Sequence, residues 1–483
     1  MTVVLDHQSI EKALRALFNR SSDVIIQRVR LLSEDESWEV LLIHCEGLSD
    51  GKLIDQIVMP QLEKLSVGQV VDGRIGNLSF QPLENKEQAI VDAVFSGKLL
   101  LLFDNNSSLF MLDIANPPQR QPEESNTEVS VKGPRDGFTE QISTNIALIR
   151  KRLRTESLCC ESYVIGRRSR TKVALLYEDD IINPDIIEMA RQRIQKIDVD
   201  ALVSSEELAE SISDSPFGLF PLIDYIGRPD FAVEALLRGR FIVIVDGTPM
   251  VLIAPTTLSS LLKTPEDIHA SYLYVAFESL LRYIGLFLGI LVPGFYIALT
   301  TFHMDQIPIT TLASVINVRR GLPIPAPLEA FLMQITFELF REAGIRLPKG
   351  VGQTVTVVGG LFIGQAAIEA GLTSPAMLVV TAMSMVATYT LVNQSLGGLV
   401  TALRLFVLGC AAFLGMYGFF LGLFAILLYV STLESFGVPY LAPMSPPVFK
   451  DLLMALTTKP RTLNRTRPLI YRTGDSDRKE KGT

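Results

Sequence analysis

Four long runs without a single Asp, Glu, Lys or Arg crowd the region between Tyr283 and Leu433. Tyr283 to Phe302 is uncharged for 20 residues, Val351 to Ile368 for 18, Ala370 to Leu403 for 34 and Leu405 to Leu433 for 29. Twenty residues of α-helix rise about 30 Å, the thickness of a bilayer's hydrocarbon core. These runs predict an all-α multi-span membrane bundle over 283–433, with spans near 283–302, 351–371, 375–395 and 405–431. Pro293-Gly294 falls inside the first, where a spanning helix tolerates a kink.

Residues 326–342, APLEAFLMQITFELFRE, break the pattern by placing Glu329, Glu338, Arg341 and Glu342 among large apolar side chains. An interfacial or re-entrant helix is the expectation here; a full span shielded by protein is the alternative. The segment 434–483 is a basic tail (Lys459, Arg461, Arg465, Arg467, Arg472), which the excess of cations at cytoplasmic ends places in the cytoplasm. The first residues, MTVVLDHQSIEKAL, have neither the basic start nor the apolar centre of a signal peptide, so the amino-terminal region is expected in the cytoplasm too. Ends on one side require an even number of spans, here four, entered through connecting or interfacial helices over 256–282.

Before the apolar runs the chain is charged throughout, and it repeats itself. Gly97-Lys98-LLLLFDNNSSLFML matches Gly239-Arg240-FIVIVDGTPMVLIA at an offset of 142. Each has an apolar run, an Asp (Asp104, Asp246), a turn and a second apolar run, the pattern of a β-hairpin. Val40-LLIHCEGLSDGKLIDQIV likewise parallels Val173-ALLYEDDIINPDIIEMAR, each reading as strand, loop, helix. The fold class is therefore an α+β soluble region of two related α/β subdomains, 1–115 and 140–255, joined by a linker at 116–139 and followed by the helical bundle. Shared hairpin chemistry without duplication is the plainer alternative.

Covalent chemistry finds no foothold. The four histidines are scattered, no nucleotide-binding, nucleophile-elbow or zinc-protease pattern occurs, and the net charge of −8 argues against nucleic acid. Of the cysteines Cys45, Cys159, Cys160 and Cys410, only Cys159-Cys160 are neighbours, and adjacent thiols rarely bridge without strain. No enzyme activity, cofactor or metal is expected. The second apolar run is different. On a helix Thr354, Val358, Phe362, Gln365 and Glu369 share one face, while Gly360 and Gly364 form a small-residue seam on another. Such a mixed stripe suits a pore lining, with Val358 and Phe362 as an apolar constriction and Glu369 as a cation-favouring ring.

At these residues the sequence resembles the A subunit of the GerA family of spore germination receptors. The resembling blocks run in order: KGPRDGFTEQISTNIALIRKRL (132–153), SPFGLFPLIDYIGRPD (215–230), GRFIVIVDGTPMVLIAP (239–255) and VPGFYIALTTFH (292–303). LPIPAPLEAFLMQITFELFREAGIRLP (322–348), GQTVTVVGGLFIGQAAIEAGL (352–372) and SFGVPYLAP (435–443) follow. The resemblance implies a multi-pass protein of the inner membrane of bacterial spores. It also implies a homo-oligomer among lipids that works with a permease-like B subunit and a lipoprotein C subunit to release ions when nutrient binds. Two positions depart from the pattern: Gly227 and Gln334 stand where the family usually has Glu. Arg228 and Asp230 are either a coupling pair or a turn in which Asp230 caps the next helix. Glu338, Arg341, Glu342, Arg346 and Arg404 are candidates for ion pairs that couple the membrane entry to the soluble region. The rival readings are a secondary transporter using Glu369 and a non-conducting scaffold of the germination complex.

Overall fold

The computed structural model of the chain describes residues 7–32, 37–63, 74–75, 78–83, 86–103, 109–117, 133–216, 218–346, 364–456 and 466–477. Its amino-terminal half contains two antiparallel five-stranded sheets. The first is built from β1 (Val24–Leu32), β2 (Ser37–Cys45), β3 (Gln81–Leu83), β4 (Lys98–Phe103) and β5 (Leu109–Asp113), in the order β1-β2-β4-β5-β3. The second uses β6 (Leu158–Ile165), β7 (Thr171–Glu178), β8 (Asp224–Ile226), β9 (Phe241–Val245) and β10 (Val251–Ala254), in the order β6-β7-β9-β10-β8. The two connectivities are the same.

The central strands β4 and β9 are apolar without alternation because both faces of each sheet are covered there. On β4, Leu100 and Leu102 enter one core while Leu99, Leu101 and Phe103 enter another. On β9, Phe241, Val243 and Val245 separate in the same way from Ile242 and Ile244. The helix Glu87–Val94 leads into β4 through Gly97 at φ +86°, and Pro229–Leu236 leads into β9 through Gly239 at φ +84°. A side chain at Gly97 would meet the Leu48 carbonyl at 2.5 Å, so the turn needs glycine for its conformation and for its space.

The helix Ile142–Arg150 is shared between the two sheets. Ala147 joins the core of the first, and Ile146, Leu148 and Ile149 join that of the second. Buried Asn145 fixes its start by bonding to both the N–H and the carbonyl of Thr139, at 2.8 and 2.6 Å.

Among the described residues of the carboxy-terminal half, two helical stretches are long and apolar enough to cross a membrane by length and composition, Tyr272–Phe302 and Ser395–Ser431. The first starts at Tyr272 rather than at Tyr283, because Arg282 is no boundary: it is buried inside the helix. The expected span 375–395 is instead a helix Pro375–Tyr389, after which Asn393 caps a new one by accepting from Ser395 N–H at 3.0 Å. The expected span 405–431 is also corrected. The helix Gln394–Ser431 is broken at Gly415, φ 63° and ψ −139°. Beyond it the chain folds back: a Cβ on Gly422 would lie 3.5 Å from Cys410 Sγ, and one on Gly418 would strike the Cys410 carbonyl at 2.0 Å. The segment is a helical hairpin with a small-residue seam. Of the expected span 351–371, residues 351–363 lie outside the described residues, and 364–369 are helical.

Residues 326–342 lie within a helix, Ala326–Arg346, that turns its polar side inward. Glu329 and Gln334 are buried, while Leu328, Leu332, Ile335 and Leu339 are exposed. An interfacial helix would show water the opposite face. The segment after Leu433 is more than a basic tail. Phe436 and Tyr471 belong to the core of the second sheet, and Arg467 Nε donates to the Leu237 carbonyl at 3.0 Å.

Candidate functional site

Glycines set how closely the apolar helices pack. A Cβ on Gly289 would sit 3.2 Å from both Thr388 Oγ1 and Val400, and one on Gly294 would meet Val407 at 2.9 Å. These contacts make the helix Tyr272–Ile297 run parallel to the first arm of the hairpin and antiparallel to Pro375–Tyr389. The helix Ala326–Arg346 lies antiparallel to the same arm, since Arg341 approaches Gly397 while Glu338 reaches Thr401.

Within this packing lies a chain of polar groups. Arg404, 1% exposed, donates from Nη1 to Ser384 Oγ at 2.8 Å and from Nη2 to Thr401 Oγ1 at 3.0 Å. Ser384 in turn donates to the Gly289 carbonyl at 3.2 Å, so the network ties three helices together. Glu338 approaches Arg404 at 3.9 Å and bonds directly to Arg341. Beside it a cavity of about 250 Å³ is lined by Gln334, Glu338, Glu342, Thr401 and apolar neighbours. Both amide atoms of Gln334 are buried without a partner among the described residues. A second buried carboxylate, Glu329, accepts from Ser374 N–H at 2.6 Å and Oγ at 2.8 Å and from Thr373 at 3.0 Å, which fastens it to the start of the helix Pro375–Tyr389.

The residues expected to line a pore divide. Thr354, Val358, Gly360 and Phe362 lie outside the described residues. Gln365 and Glu369 are exposed one turn apart, and Gln365 Nε2 donates to Glu369 Oε1 at 3.1 Å. Gly364 faces the helix Pro375–Tyr389, where a Cβ would lie 3.2 Å from Leu378. Of the coupling candidates, Glu338, Arg341 and Arg404 come together and Glu342 borders their cavity; the side chain of Arg346 lies outside the described residues.

Arg228 and Asp230 form a separate cluster at the foot of the second sheet. Asp230 does not cap the helix Pro229–Leu236: Arg228 holds the cap position and Asp230 lies within the first turn. Its carboxylate instead accepts from Arg228 Nε and Nη2 at 3.1 and 2.6 Å and contacts His269 Nε2 at 3.0 Å. Burial pushes this carboxyl up, but the bonds to Arg228 and His269 outweigh it and hold the group below the usual range. Arg228 also reaches Glu266 at 2.5 Å.

Asp224, Asn393 and Asp267, none of them singled out as a coupling residue by local spacing, also join soluble and helical parts. Asn393 Nδ2 donates to Asp224 Oδ1 at 2.8 Å, and Arg282 bonds Asp267 through both guanidinium ends. The available signal was a lone acid or amide beside an apolar run, too common to single out. Among the described residues no group of three or more His, Cys, Asp or Glu is arranged to hold a metal ion.

The family model for the Bacillus/Clostridium GerA spore germination protein matches residues 12–470. Spore germination protein XA of Bacillus anthracis is 42% identical over 97% of this chain and 96% of its own length. A Bacillus subtilis relative described as an uncharacterized membrane protein, YfkQ, is 36% identical over 80% of this chain and 77% of its own. The crystal structure of the N-terminal domain of the A subunit of the Bacillus megaterium spore germinant receptor GerK3 matches with 27% identity and a TM-score of 0.38, over 51% of this chain and 94% of that one. Matched along nearly its whole length, the chain belongs to the GerA family of spore germination proteins.

Proposed function

We propose that this chain is the A subunit of a nutrient-gated ion channel of the spore inner membrane. It crosses that membrane several times, assembles into a ring of copies, and acts with a permease-like B subunit and a lipoprotein C subunit. It performs no covalent chemistry. One observation carries the reading: Gln365 and Glu369 stand exposed and hydrogen-bonded to each other on a helical turn set among apolar helices. Polar groups at membrane depth are costly against lipid, so such a face is better turned toward water and other copies. The inward-facing Glu329 and Gln334 and the exposed Leu328, Leu332, Ile335 and Leu339 support embedding most of Ala326–Arg346 in lipid, with exposed Glu342 near its end. Nutrient favours the open state only through contacts that differ between states, and the contacts with the B subunit supply them.

The test is ion release from spores carrying Glu369→Gln or Phe362→Ala. Glu369→Gln should slow nutrient-triggered cation release, and Phe362→Ala should allow release without nutrient. Release that is normal in both variants, at normal receptor levels, would overturn the channel reading.

A further inference from the structure

Ahead of the Arg228–Asp230 cluster, the stretch Leu219–Asp224 holds both ends of the helical hairpin. Because the chain turns back at Gly415, the start and the end of Gln394–Ser431 return to one surface. There Asp224 accepts from Asn393 at the start. Leu219 N–H donates to the Tyr429 hydroxyl at 3.3 Å near the end, and the Phe220 ring lies 5.9 Å from that of Tyr429 and 5.7 Å from that of Tyr440. Just beyond the hairpin, Ser435 Oγ donates to the Leu222 carbonyl at 2.7 Å and accepts from Thr256 N–H at 3.0 Å.

We propose that Leu219–Asp224 is a clamp by which the second sheet sets the position of the hairpin, and that the Asp224–Asn393 pair is its latch. Asn393 serves two structures at once. Its Oδ1 caps the helix at Ser395 while its Nδ2 holds the edge strand β8. Movement of that strand is therefore passed to the first turn of the helix that carries Thr401 and Arg404, and through them to Glu338. Asp224 is well placed to act as a latch that can open. It is 2% exposed, and its nearest cation, Arg240, is 3.9 Å away and already bonded to the Pro255 carbonyl and Thr256. The Asn393 amide is therefore the side-chain donor on which this buried carboxylate depends, and opening the latch leaves its charge short of a partner. Burial, only partly offset by Arg240 and Asn393, pushes its carboxyl up to about 6.

The inference rests on the channel reading, so its experiment has one arm that does not. Full-length chain in lipid nanodiscs is compared by hydrogen exchange over residues 394–401 as wild type, Asn393→Asp and the swap Asp224→Asn with Asn393→Asp. Aspartate also caps helices, so Asn393→Asp keeps the cap and sets two carboxylates together. It should cost roughly tenfold or more in protection, the scale of a lost charge-assisted bond. The swap restores one donor facing one acceptor and should return protection to within about twofold. In spores, Asn393→Asp should shift the nutrient concentration for half-maximal ion release, and the swap should restore it. Unchanged exchange in Asn393→Asp, or a swap that fails to rescue it, overturns the latch whether or not the chain conducts. Exchange that responds while ion release does not would make the clamp purely structural and overturn its positioning role.

Discussion

Asp267 and Arg282 form a buried, two-pronged ion pair, with Nη1 donating to Oδ2 at 2.8 Å and Nη2 to Oδ1 at 2.9 Å. Arg282 adds a bond to the Leu262 carbonyl at 3.1 Å. The residue before Asp267, Glu266, takes Arg228 of the second sheet, so one short turn holds an arginine from the soluble half and another from the first long helix. Removing one partner of such a pair leaves an unmatched charge and costs about 3–5 kcal/mol, whereas replacing both with apolar groups costs far less. Asp267→Asn should therefore lower the thermal midpoint of the purified full chain more than Asp267→Leu combined with Arg282→Met. A double variant as unstable as the single one would refute this account.

The two sheets are held by a second buried pair. Arg150 donates to Asp23 at 2.7 and 2.9 Å and to Ser21 at 3.2 Å, with its guanidinium 4.2 Å above the Phe95 ring. Cys45 and Cys160 lie around it, and burial pushes Cys160 up to about 12 and Cys45 well above its ordinary range. At pH 8 neither is a thiolate, so alkylation must wait for the interface to open. Arg150→Met should leave Asp23 uncompensated and speed iodoacetamide labelling of both thiols by roughly tenfold or more, read by mass spectrometry. Labelling at the wild-type rate would show that this pair does not hold the sheets together.

Hairpins and apolar helices were legible because burial on both faces of a sheet, or an apolar surface all round a helix, leaves long runs with no charge. The same uniformity hid the reversal at Gly415. Leu405 to Leu433 reads as one apolar run although it contains parts of two antiparallel arms, and Gly418 and Gly422, which seat the second arm on Cys410, look like ordinary small residues. A polar stripe on a helix also has no direction in sequence. Glu329 and Glu338 suggested a face toward water and in fact face Ser374 and Arg404. Asp230 fitted a cap by position, but the neighbouring Arg228 and the distant His269 claimed its carboxylate. Pairs such as Asp224 with Asn393 depend on segments far apart in the chain, which local spacing cannot join.

Close helix packing makes a further point testable. Gly285 faces Thr390, where a Cβ would come within 2.0 Å of Oγ1 and 2.9 Å of the Ala387 carbonyl. A threonine hydroxyl can rotate away, but the backbone carbonyl cannot. Gly285→Ala should cost about 1–3 kcal/mol by forcing the helices apart. Gly398, with nothing within 4 Å of its would-be Cβ, is the control and should tolerate alanine. Equal thermal midpoints for the two alanine variants would contradict the packing described.

Glu178 offers a pH signature in the second sheet. Burial, opposed by the Ser157 hydroxyl at 2.6 Å, pushes its carboxyl up to about 7 from an ordinary 4.5. The folded state then binds the proton more tightly than the unfolded one. Stability from this group is therefore full below pH 4.5, falls as pH rises through that window, and is lost above about pH 7. The shift corresponds to about 3 kcal/mol. Glu178→Gln removes the titration but keeps an oxygen for Ser157, so in thermal unfolding of the full chain the variant should gain on the wild type from pH 5 to about pH 7 and level off by pH 8. A difference between the two that stays flat across that range would mean Glu178 is ionised in the folded protein throughout.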